Sequence, residues 1–401
     1  MLKNFTTQEK KIFWGCAICY MLAYVGRFNL APALSGITET FALTAAQSGL
    51  IQTMLAAVYA VGQVVNGILA DRVNCRRHIT MGLIGTAVCN LLVGCASSYT
   101  QVLVLWALNG AFQSMLWTPV VRIMADWYEG EKRGRVTYYM CFTFIIGHFL
   151  AWAISGSMKS LANWRFAFWV PAAVMAANAV LAYTLLRDRR EARAAEGTAP
   201  VETIARMPIR DMMFKTGLWA VLIGCVFTGI ARDGVMTWAP SLIDSRAGTS
   251  LGSVTSSLII PVLNLFGVLL ARRLMNKANG AIRPALDKLM SAAAVVALVL
   301  AVFNGGSVYV FAVLLGMLCS LMYASSNLQN VMLPMAYAYT GRVSLVAGLC
   351  DCMIYLGMSL VAVLSGGLLQ AFGQWAVYLS WAAAALLSLL MMHAAEKARK
   401  A

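Results

Sequence analysis

The chain has 401 residues, of which 60% are hydrophobic and only 12% are charged. A soluble domain averages about 25% charged residues, so this composition excludes a soluble globular protein and is typical of a membrane protein. The net charge of +15 could suggest nucleic-acid binding, but the positions of the basic residues along the chain give it another meaning.

Twelve apolar stretches of about 20 residues, separated by charged or turn-rich breaks, follow one another along the chain. They predict membrane-spanning helices, because only helices and closed barrels satisfy the backbone in lipid, and the sequence lacks the short alternating segments of a barrel. The predicted spans, numbered in chain order, are 12–36, 46–70, 78–97, 101–126, 136–158, 164–186, 213–242, 252–271, 285–304, 307–333, 343–368 and 373–393.

The basic residues predict the orientation of these spans. Of the 31 Lys and Arg residues, 25 lie in or next to the two termini and the even-numbered connections. Only three lie in or next to the connections on the opposite side, namely Lys159, Arg165 and Arg246, and the other three, Arg27, Arg122 and Arg232, lie further inside spans. This bias is a strong positive-inside signal, so both termini are expected in the cytoplasm of a multi-pass cell-membrane protein. No nucleic-acid partner is implied.

The cysteines and histidines give no sign of a disulfide framework, a metal site or another cofactor. Nine of the ten cysteines lie in predicted spans, and no Cys or His group has metal-ligand spacing. An ATP-driven pump or a membrane enzyme is not expected either, because the sequence contains neither G-x-x-x-x-G-K-[ST] nor H-E-x-x-H.

A polar segment divides the twelve spans into two sets of six. Residues 187–211 are rich in Arg, Glu, Ala and Pro and are interpreted as a solvated cytoplasmic linker. The predicted domains are therefore an N-terminal bundle at 1–186 and a C-terminal bundle at 212–401. An internal duplication is favoured by two pairs of similar connections: GILADRVNCRR with ARRLMNKANGAIR, and WYEGEKRGRVTYY with AYTGRVSLVAG.

GILADRVNCRR, residues 67–77, resembles the signature of the loop between the second and third helices in the major facilitator superfamily. The resemblance implies an all-α membrane fold with twelve transmembrane helices in two pseudo-symmetric six-helix bundles around a central cavity. It also implies a charge cluster at the cytoplasmic gate that latches helix ends in the inside-closed state. A plain positive-inside turn is the alternative. The gate residues are Asp71, Arg72, Arg76 and Arg77.

Two arginines interrupt symmetry-related spans at matched depth. Arg27 follows Lys11 by 16 residues, and Arg232 follows Lys215 by 17 residues. At 1.5 Å per residue, both lie about 25 Å along their helices. A two-fold axis along the membrane normal would make both face one central cavity. Each arginine costs about 2.5–3.5 kcal/mol in mid-membrane, so an anion held by both guanidinium groups is favoured over two structural ion pairs.

The spans also resemble the organophosphate/phosphate antiporters, which include the glycerol-3-phosphate and hexose-phosphate exchangers. The similar segments are YMLAYVGRFNLAPAL, YAVGQVVNGILADR and GAFQSMLWTPVVRIMADWYEGEKRG, together with the arginine of the seventh span. In that family the paired arginines bind phosphate, which implies Arg27 and Arg232 here. Matching aromatic positions imply further substrate contacts, although plain packing is an equal alternative at each. They are Tyr20, Tyr24, Tyr59, Trp117, Tyr323 and Tyr355.

The chain departs from that family at three positions where a cation or a histidine is expected. These positions hold Phe28, Gln63 and Phe144, and His148 lies about one turn beyond Phe144. Gln63 remains a predicted substrate contact. Arg122, near the cytoplasmic end of the fourth span, is expected to anchor that end.

Two carboxylates inside the spans are candidates for proton coupling, with a structural ion pair as the alternative. Asp233 follows Arg232 directly, and because neighbouring helix positions point about 100° apart it need not neutralise that arginine. Asp351 lies in the eleventh span. Burial of an acid in a membrane favours its neutral form, so either aspartate could carry a proton.

Three functions follow from these features. The first is a monomeric secondary transporter of a small organic anion, an organophosphate of the sugar phosphate or glycerol phosphate type, exchanged for phosphate by alternating access. Fewer cations and additional acids favour the second, a proton-coupled symporter of a phosphonate or carboxylate. The third is a transporter-like sugar-phosphate sensor.

Overall fold

The computed structural model describes residues 5–189, 191, 205–247, 250–302 and 307–400. Over these residues the chain is helical and contains no strand, so the predicted all-α fold is confirmed. The helices are α1 (Thr7–Ala23), α2 (Leu30–Thr40), α3 (Ala45–Ala70), α4 (Cys75–Gly94), α5 (Tyr99–Trp127), α6 (Gly130–Leu161), α7 (Phe166–Leu185), α8 (Ile209–Phe214), α9 (Leu218–Ala247), α10 (Ser250–Lys277), α11 (Ile282–Val302), α12 (Val308–Asn327), α13 (Leu333–Ala336), α14 (Val343–Phe372) and α15 (Gln374–Lys400).

Each predicted span coincides with one long helix or with a helix and its continuation. Within the described ranges, nine helical segments are long and apolar enough to cross a membrane. The predicted spans at 78–97, 101–126 and 252–271 lie on α4, α5 and α10, which are not among those nine. The first span differs most from the prediction, because it consists of two helices, α1 and α2, instead of one.

The chain forms two compact units. The first contains Met1–Arg206 and Met335–Cys352, and the second contains Met207–Pro334 and Met353–Ala401. The short segment Met335–Cys352, which includes the start of α14, therefore joins the N-terminal bundle, although it lies far along the chain. Most of the predicted linker, residues 192–204 and residue 190, lies outside the described residues.

The same helix pairs recur inside each unit. In the first, α3 packs on α5, α4 on α5 and on α7, and α1 on α7. In the second, α10 packs on α12, α11 on α12 and on α15, and α9 on α15. A glycine of the second span in each repeat faces a serine of the fourth: Gly62 faces Ser114, and Gly267 faces Ser320. The recurrence agrees with the internal duplication expected from the two pairs of similar connections.

Close helix packing is the main source of cohesion here, because lipid tails are as apolar as the helix surfaces and provide no hydrophobic drive. Gly110 on α5 lies against the backbone of α3, where a Cβ atom would sit 2.6 Å from the Leu55 carbonyl oxygen. The backbone cannot give way as a flexible side chain could.

We expect Gly110→Ala to lower the free energy of unfolding of the purified protein by about 1–3 kcal/mol, and with it the melting temperature, because the added methyl group separates α3 from α5. The melting temperature in detergent measures this effect. Gly49→Ala is the matched control, since its methyl would enter open space on α3 and should leave the melting temperature almost unchanged. Equal melting of the two variants would contradict the close approach.

Candidate functional site

A break in the first span positions Arg27. The helix α1 ends at Ala23, a 3-10 turn follows at Tyr24–Gly26, and α2 begins at Leu30. Arg27 lies in the interval between the two helices. Broken helices occur at membrane depth only where protein groups satisfy the freed backbone, and here they do.

Buried side-chain amides from neighbouring helices satisfy these backbone groups. The Gly26 carbonyl accepts hydrogen bonds from the Asn90 and Asn109 amides, at 3.0 and 2.9 Å, and the Ala23 carbonyl accepts one from Gln113 at 3.1 Å. Asn29 donates to the Asn90 Oδ1 atom at 2.8 Å and to a carbonyl on α7 at 2.9 Å. This amide network fixes the conformation that presents Arg27.

The Arg27 guanidinium packs on aromatic rings. Its central carbon lies 3.7 Å from the ring centroid of Tyr59, 5.2 Å from that of Phe28 and 5.9 Å from that of Tyr24. Arg27 is only 5% exposed. A desolvated cation over an aromatic face is stabilised by the ring quadrupole, by about 2 kcal/mol, which offsets part of the cost of burial.

Tyr59 connects Arg27 to Asp351. The Tyr59 hydroxyl donates a hydrogen bond to Asp351 Oδ2 at 2.9 Å, while the face of the same ring carries the guanidinium. Tyr59 is 1% exposed and Asp351 is 4% exposed. A cation, a phenol and a carboxylate, which are far apart in the sequence, thus form one buried network within the first unit.

Aromatic side chains surround this network. Tyr20 lies 4.9 Å from Trp117 and 5.6 Å from Tyr24, between ring centroids. Phe144, at a position where a histidine was expected, contacts Tyr20 and Trp117 at 5.6 and 5.4 Å. The His148 ring lies 3.8 Å from the ring of Phe28. Phe28 and Phe144, at positions where a cation or a histidine was expected, therefore place apolar rings among the aromatic side chains around the Arg27 network.

Buried polar atoms beside the network have no partner among the described residues. Both amide atoms of Gln63 and the indole nitrogen of Trp117 are in this state, and the two side chains are 0% and 1% exposed. Gln63 lies one helical turn from Tyr59 on α3. Leaving a buried polar group unsatisfied costs about 1–3 kcal/mol, and native structures rarely retain such groups without a function. A polar ligand or water would satisfy them.

A close contact between α3 and the start of α14 sets this geometry. A Cβ atom on Gly348 would collide with the Gln63 carbonyl oxygen, and one on Gly67 would lie 3.0 Å from the Ser344 carbonyl oxygen. Gly348 is one turn before Asp351, as Gln63 is one turn after Tyr59. The glycine contact therefore brings α14 close enough for the bond between Tyr59 and Asp351.

The predicted gate residues lie at the other end of the same contact. The Asp71 carboxylate faces Ser344 and Leu345, in the first turn of α14, where their polar groups favour its ionised form. An anion is favoured at a helix N-terminus by the unsatisfied N–H groups and the helix dipole. Burial nevertheless raises the pKa of Asp71, while the polar groups of Ser344 and Leu345 and the positive charge of Arg122 oppose that rise.

The gate arginines do not share a single role. The Arg76 guanidinium forms an ion pair with Glu191 at 2.8 Å and lies 4.7 Å from the ring centroid of Tyr183. Arg72 and Arg77 are exposed. Arg122 donates to the Ala70 carbonyl at the end of α3, and its expected role as an anchor of the fourth span stays a prediction. The predicted charge cluster is thus spread over several partners.

Arg232 has a carboxylate partner of its own in the second unit. Its Nε and Nη2 atoms contact Asp233 Oδ1 and Oδ2 at 3.1 and 2.7 Å, and its Nη1 donates to the Ser326 hydroxyl at 2.8 Å. The sequence left open whether neighbouring positions would keep Asp233 apart from Arg232. The two side chains instead meet in a bidentate pair, because the arginine is long enough to bend towards the shorter aspartate.

The remaining predicted contacts are half-buried in the second unit. Tyr323 lies on α12, one turn before Ser326, and Tyr355 lies on α14, one turn after Asp351. Arg27 belongs to the first unit and Arg232 to the second, so the binding of one anion by both stays a prediction.

Some residues of this site were missed in the sequence. They are the amides of Asn29, Asn90, Asn109 and Gln113, the Ser326 hydroxyl and the contact at Gly348. The signal for the amides was available, because polar residues inside apolar spans are costly and usually have a specific role. Most of their partners are backbone carbonyl groups elsewhere in the chain, which no local pattern indicates.

Comparison with known proteins agrees with these features. A family model described as Major Facilitator Superfamily matches residues 16–352. The human organic anion transporter MFSD10 superposes with a TM-score of 0.75 at 14% identity, covering 96% of this chain and 99% of that chain. At this identity the superposition supports the fold alone.

Three relatives carry names that specify small anions. A probable hexose phosphate transport protein of Chlamydia pneumoniae is 25% identical over 316 residues, which cover 72% of this chain and 69% of the relative. The glycerol-3-phosphate transporter of Bacillus subtilis is 26% identical over 263 residues, covering 60% and 58%. The D-galactonate transporter of Escherichia coli is 25% identical over 275 residues, covering 63% and 64%.

The matches span between 58% and 69% of the length of these relatives. The predicted resemblance to the organophosphate transporters is confirmed by the first two. With a family model over most of its length and a matching fold, the chain is a member of the major facilitator superfamily.

Proposed function

We propose that the protein is a secondary transporter of a small organic anion, an organophosphate of the sugar phosphate or glycerol phosphate type, which it exchanges for phosphate across the cell membrane. The observation that carries the proposal is the buried arginine Arg27, fixed by an amide network beside unsatisfied polar atoms of Gln63 and Trp117. A phosphate group accepts bidentate hydrogen bonds from a guanidinium and further bonds from amide and indole N–H groups. The names of two relatives support the substrate class.

The second arginine completes the proposed site. Hydrogen bonds to Asp233 and Ser326 hold the Arg232 guanidinium in one orientation. In the alternating-access model, the units expose the site first to one side of the membrane and then to the other.

A second candidate, proton-coupled symport of a phosphonate or carboxylate, is favoured by the acids. Each arginine has an aspartate in its network, Asp351 through Tyr59 and Asp233 directly. An empty site whose charge is already balanced closes at lower cost than one with two bare cations, so exchange need not be obligatory. The galactonate transporter among the relatives is named for a carboxylate. A sugar-phosphate sensor would bind the ligand with negligible flux.

We expect Arg27→Lys and Arg232→Lys each to reduce uptake of glycerol 3-phosphate into proteoliposomes to background. Lysine keeps the positive charge but loses the bidentate fork. Arg135→Lys is the matched control, because that arginine is half-exposed in a surface pair with Glu131, and its uptake should be unchanged. Near-normal uptake by either site variant, with comparable protein insertion, would refute the proposed phosphate site.

The coupling mode is tested by uptake with and without internal phosphate and with an imposed pH gradient. Exchange predicts uptake that requires internal phosphate, ignores the gradient and survives Asp233→Asn and Asp351→Asn. Symport predicts uptake into phosphate-free vesicles, driven by external acid and lost in one of the two variants. Binding without flux in either arrangement would identify a sensor.

The orientation is tested by cysteine labelling of intact cells with an impermeant maleimide, in a background without native cysteines. Arg246→Cys should react from outside, and Arg210→Cys only after the membrane is permeabilised, because the basic connections are expected in the cytoplasm. Reaction of both positions from the same side would refute the predicted topology.

A further inference from the structure

We propose that Tyr59 is a hydrogen-bond switch that links protonation of Asp351 to anion binding at Arg27. The inference rests on the proposed function in one respect: an anion binds at Arg27. It assigns Tyr59 a second role besides that of an aromatic contact, and it applies whether transport is exchange or symport.

Tyr59 has a single hydroxyl donor, and both that donor and one face of its ring are in use. The ring face carries the Arg27 guanidinium at 3.7 Å from its centroid, and the single hydroxyl proton is donated to Asp351 at 2.9 Å. A phenol has only one O–H group. While Asp351 is ionised it holds that proton in a charge-assisted bond, which is about twice as strong as a neutral one.

Protonation of Asp351 changes the partner of the hydroxyl. When a proton from the aqueous side neutralises the carboxylate, Asp351 becomes a weaker acceptor and is itself a donor. The Tyr59 hydroxyl can then rotate about its C–O bond and donate to an anion that lies on Arg27. The ring stays beneath the guanidinium, so the arginine keeps its position. No covalent bond other than the transferred O–H bond is made or broken.

The loss of the negative charge acts in the same direction. Among the described residues of the first unit, the groups that interact electrostatically with Asp351 include Arg27, Tyr20, Tyr59 and its helix neighbour Cys352, and Tyr24 faces Arg27 and Tyr59. Tyrosine and cysteine have reference pKa values of about 8.5–10, and arginine stays charged. Asp351 is therefore the group of this set whose reference charge change lies on the acidic side of neutrality.

The two binding events must then be reciprocal. If protonation of Asp351 strengthens anion binding, the bound anion strengthens proton binding by the same factor. Anion binding should be tighter at low pH and should take up a proton. The close contact at Gly348 makes the link rigid, because it holds α14 and the carboxylate at one distance from Tyr59.

The test is the dissociation constant of inorganic phosphate for the purified full chain at pH 5.5 and pH 8.0, measured by isothermal titration calorimetry. Phosphate itself titrates in this range, so each variant is compared with the wild type at the same pH. Tyr59→Phe keeps the ring face and removes only the hydroxyl. We expect it to bind phosphate about tenfold more weakly than the wild type at pH 5.5, where it lacks a bond to a charged group, and to differ less from the wild type at pH 8.0, where the ionised Asp351 holds the hydroxyl.

Two further variants complete the experiment. Asp351→Asn resembles the protonated acid and should bind phosphate at pH 8.0 more tightly than the wild type does. Adding Tyr59→Phe to it should remove that gain, because both residues act through one bond. Tyr99→Phe is the matched control, since its hydroxyl bonds to the Gln47 carbonyl away from the site, and it should follow the wild type at both pH values.

The outcomes distinguish failure of the switch from failure of the phosphate site. Equal weakening of Tyr59→Phe at both pH values would mean that the hydroxyl is not switched, and would overturn the proposal. The proposal is equally overturned if Tyr59→Phe follows the wild type throughout, or if Asp351→Asn shows no gain at pH 8.0. The result for Asp351→Asn at pH 8.0 tests the proposal even if Tyr59→Phe fails to fold. Absence of phosphate binding by the wild type at both pH values would instead refute the proposed function, and the switch with it.

Discussion

The burial of a permanently charged guanidinium inside the membrane is the constraint on which the rest of the first unit depends. Arg27 cannot lose its proton, and lipid provides no hydrogen bonds, so the protein itself must solvate it. The ring of Tyr59 contacts it directly, and the carboxylate of Asp351 is connected to it through the Tyr59 hydroxyl, from two other helices. A site assembled in this way is ordered before any ligand arrives, which lowers the cost of binding an anion.

The same constraint explains why the first span is broken. A continuous helix would leave Arg27 on a helix surface, whereas the break at Tyr24–Gly26 places it at the end of α1 among side chains of α3 and α14. The break frees carbonyl groups, and the amides of Asn90, Asn109 and Gln113 satisfy them. Polar residues that are unexpected in apolar spans thus stabilise a backbone conformation, and through it the site.

The contact between α3 and α14 connects the site with the gate. Along about 18 Å of α3, Tyr59, Gln63, Gly67 and Asp71 recur every fourth residue and face the start of α14. One end of this row contacts the acid of the Arg27 network, and the other end faces the first turn of α14. Because packed helices are displaced as units, a displacement at one end of the row also moves the residues at its other end.

The sequence by itself determined that this is a membrane protein and where its spans lie. It also indicated which connections are basic and are therefore expected in the cytoplasm, and it identified the two arginines as costly residues inside the spans. These features are local: they depend on the length and composition of short segments and on the free energy of single residues in lipid. The fold and the superfamily were implied by the resemblance of residues 67–77 to a known loop signature, and both were confirmed. Only the tertiary structure decided which acid meets which arginine. Asp233 was adjacent to Arg232 and still left the pairing open, while Asp351 reaches Arg27 through Tyr59 although 324 positions separate them. Such contacts depend on how closely helix backbones approach at Gly67 and Gly348, and the period of a single helix contains no information on its neighbour.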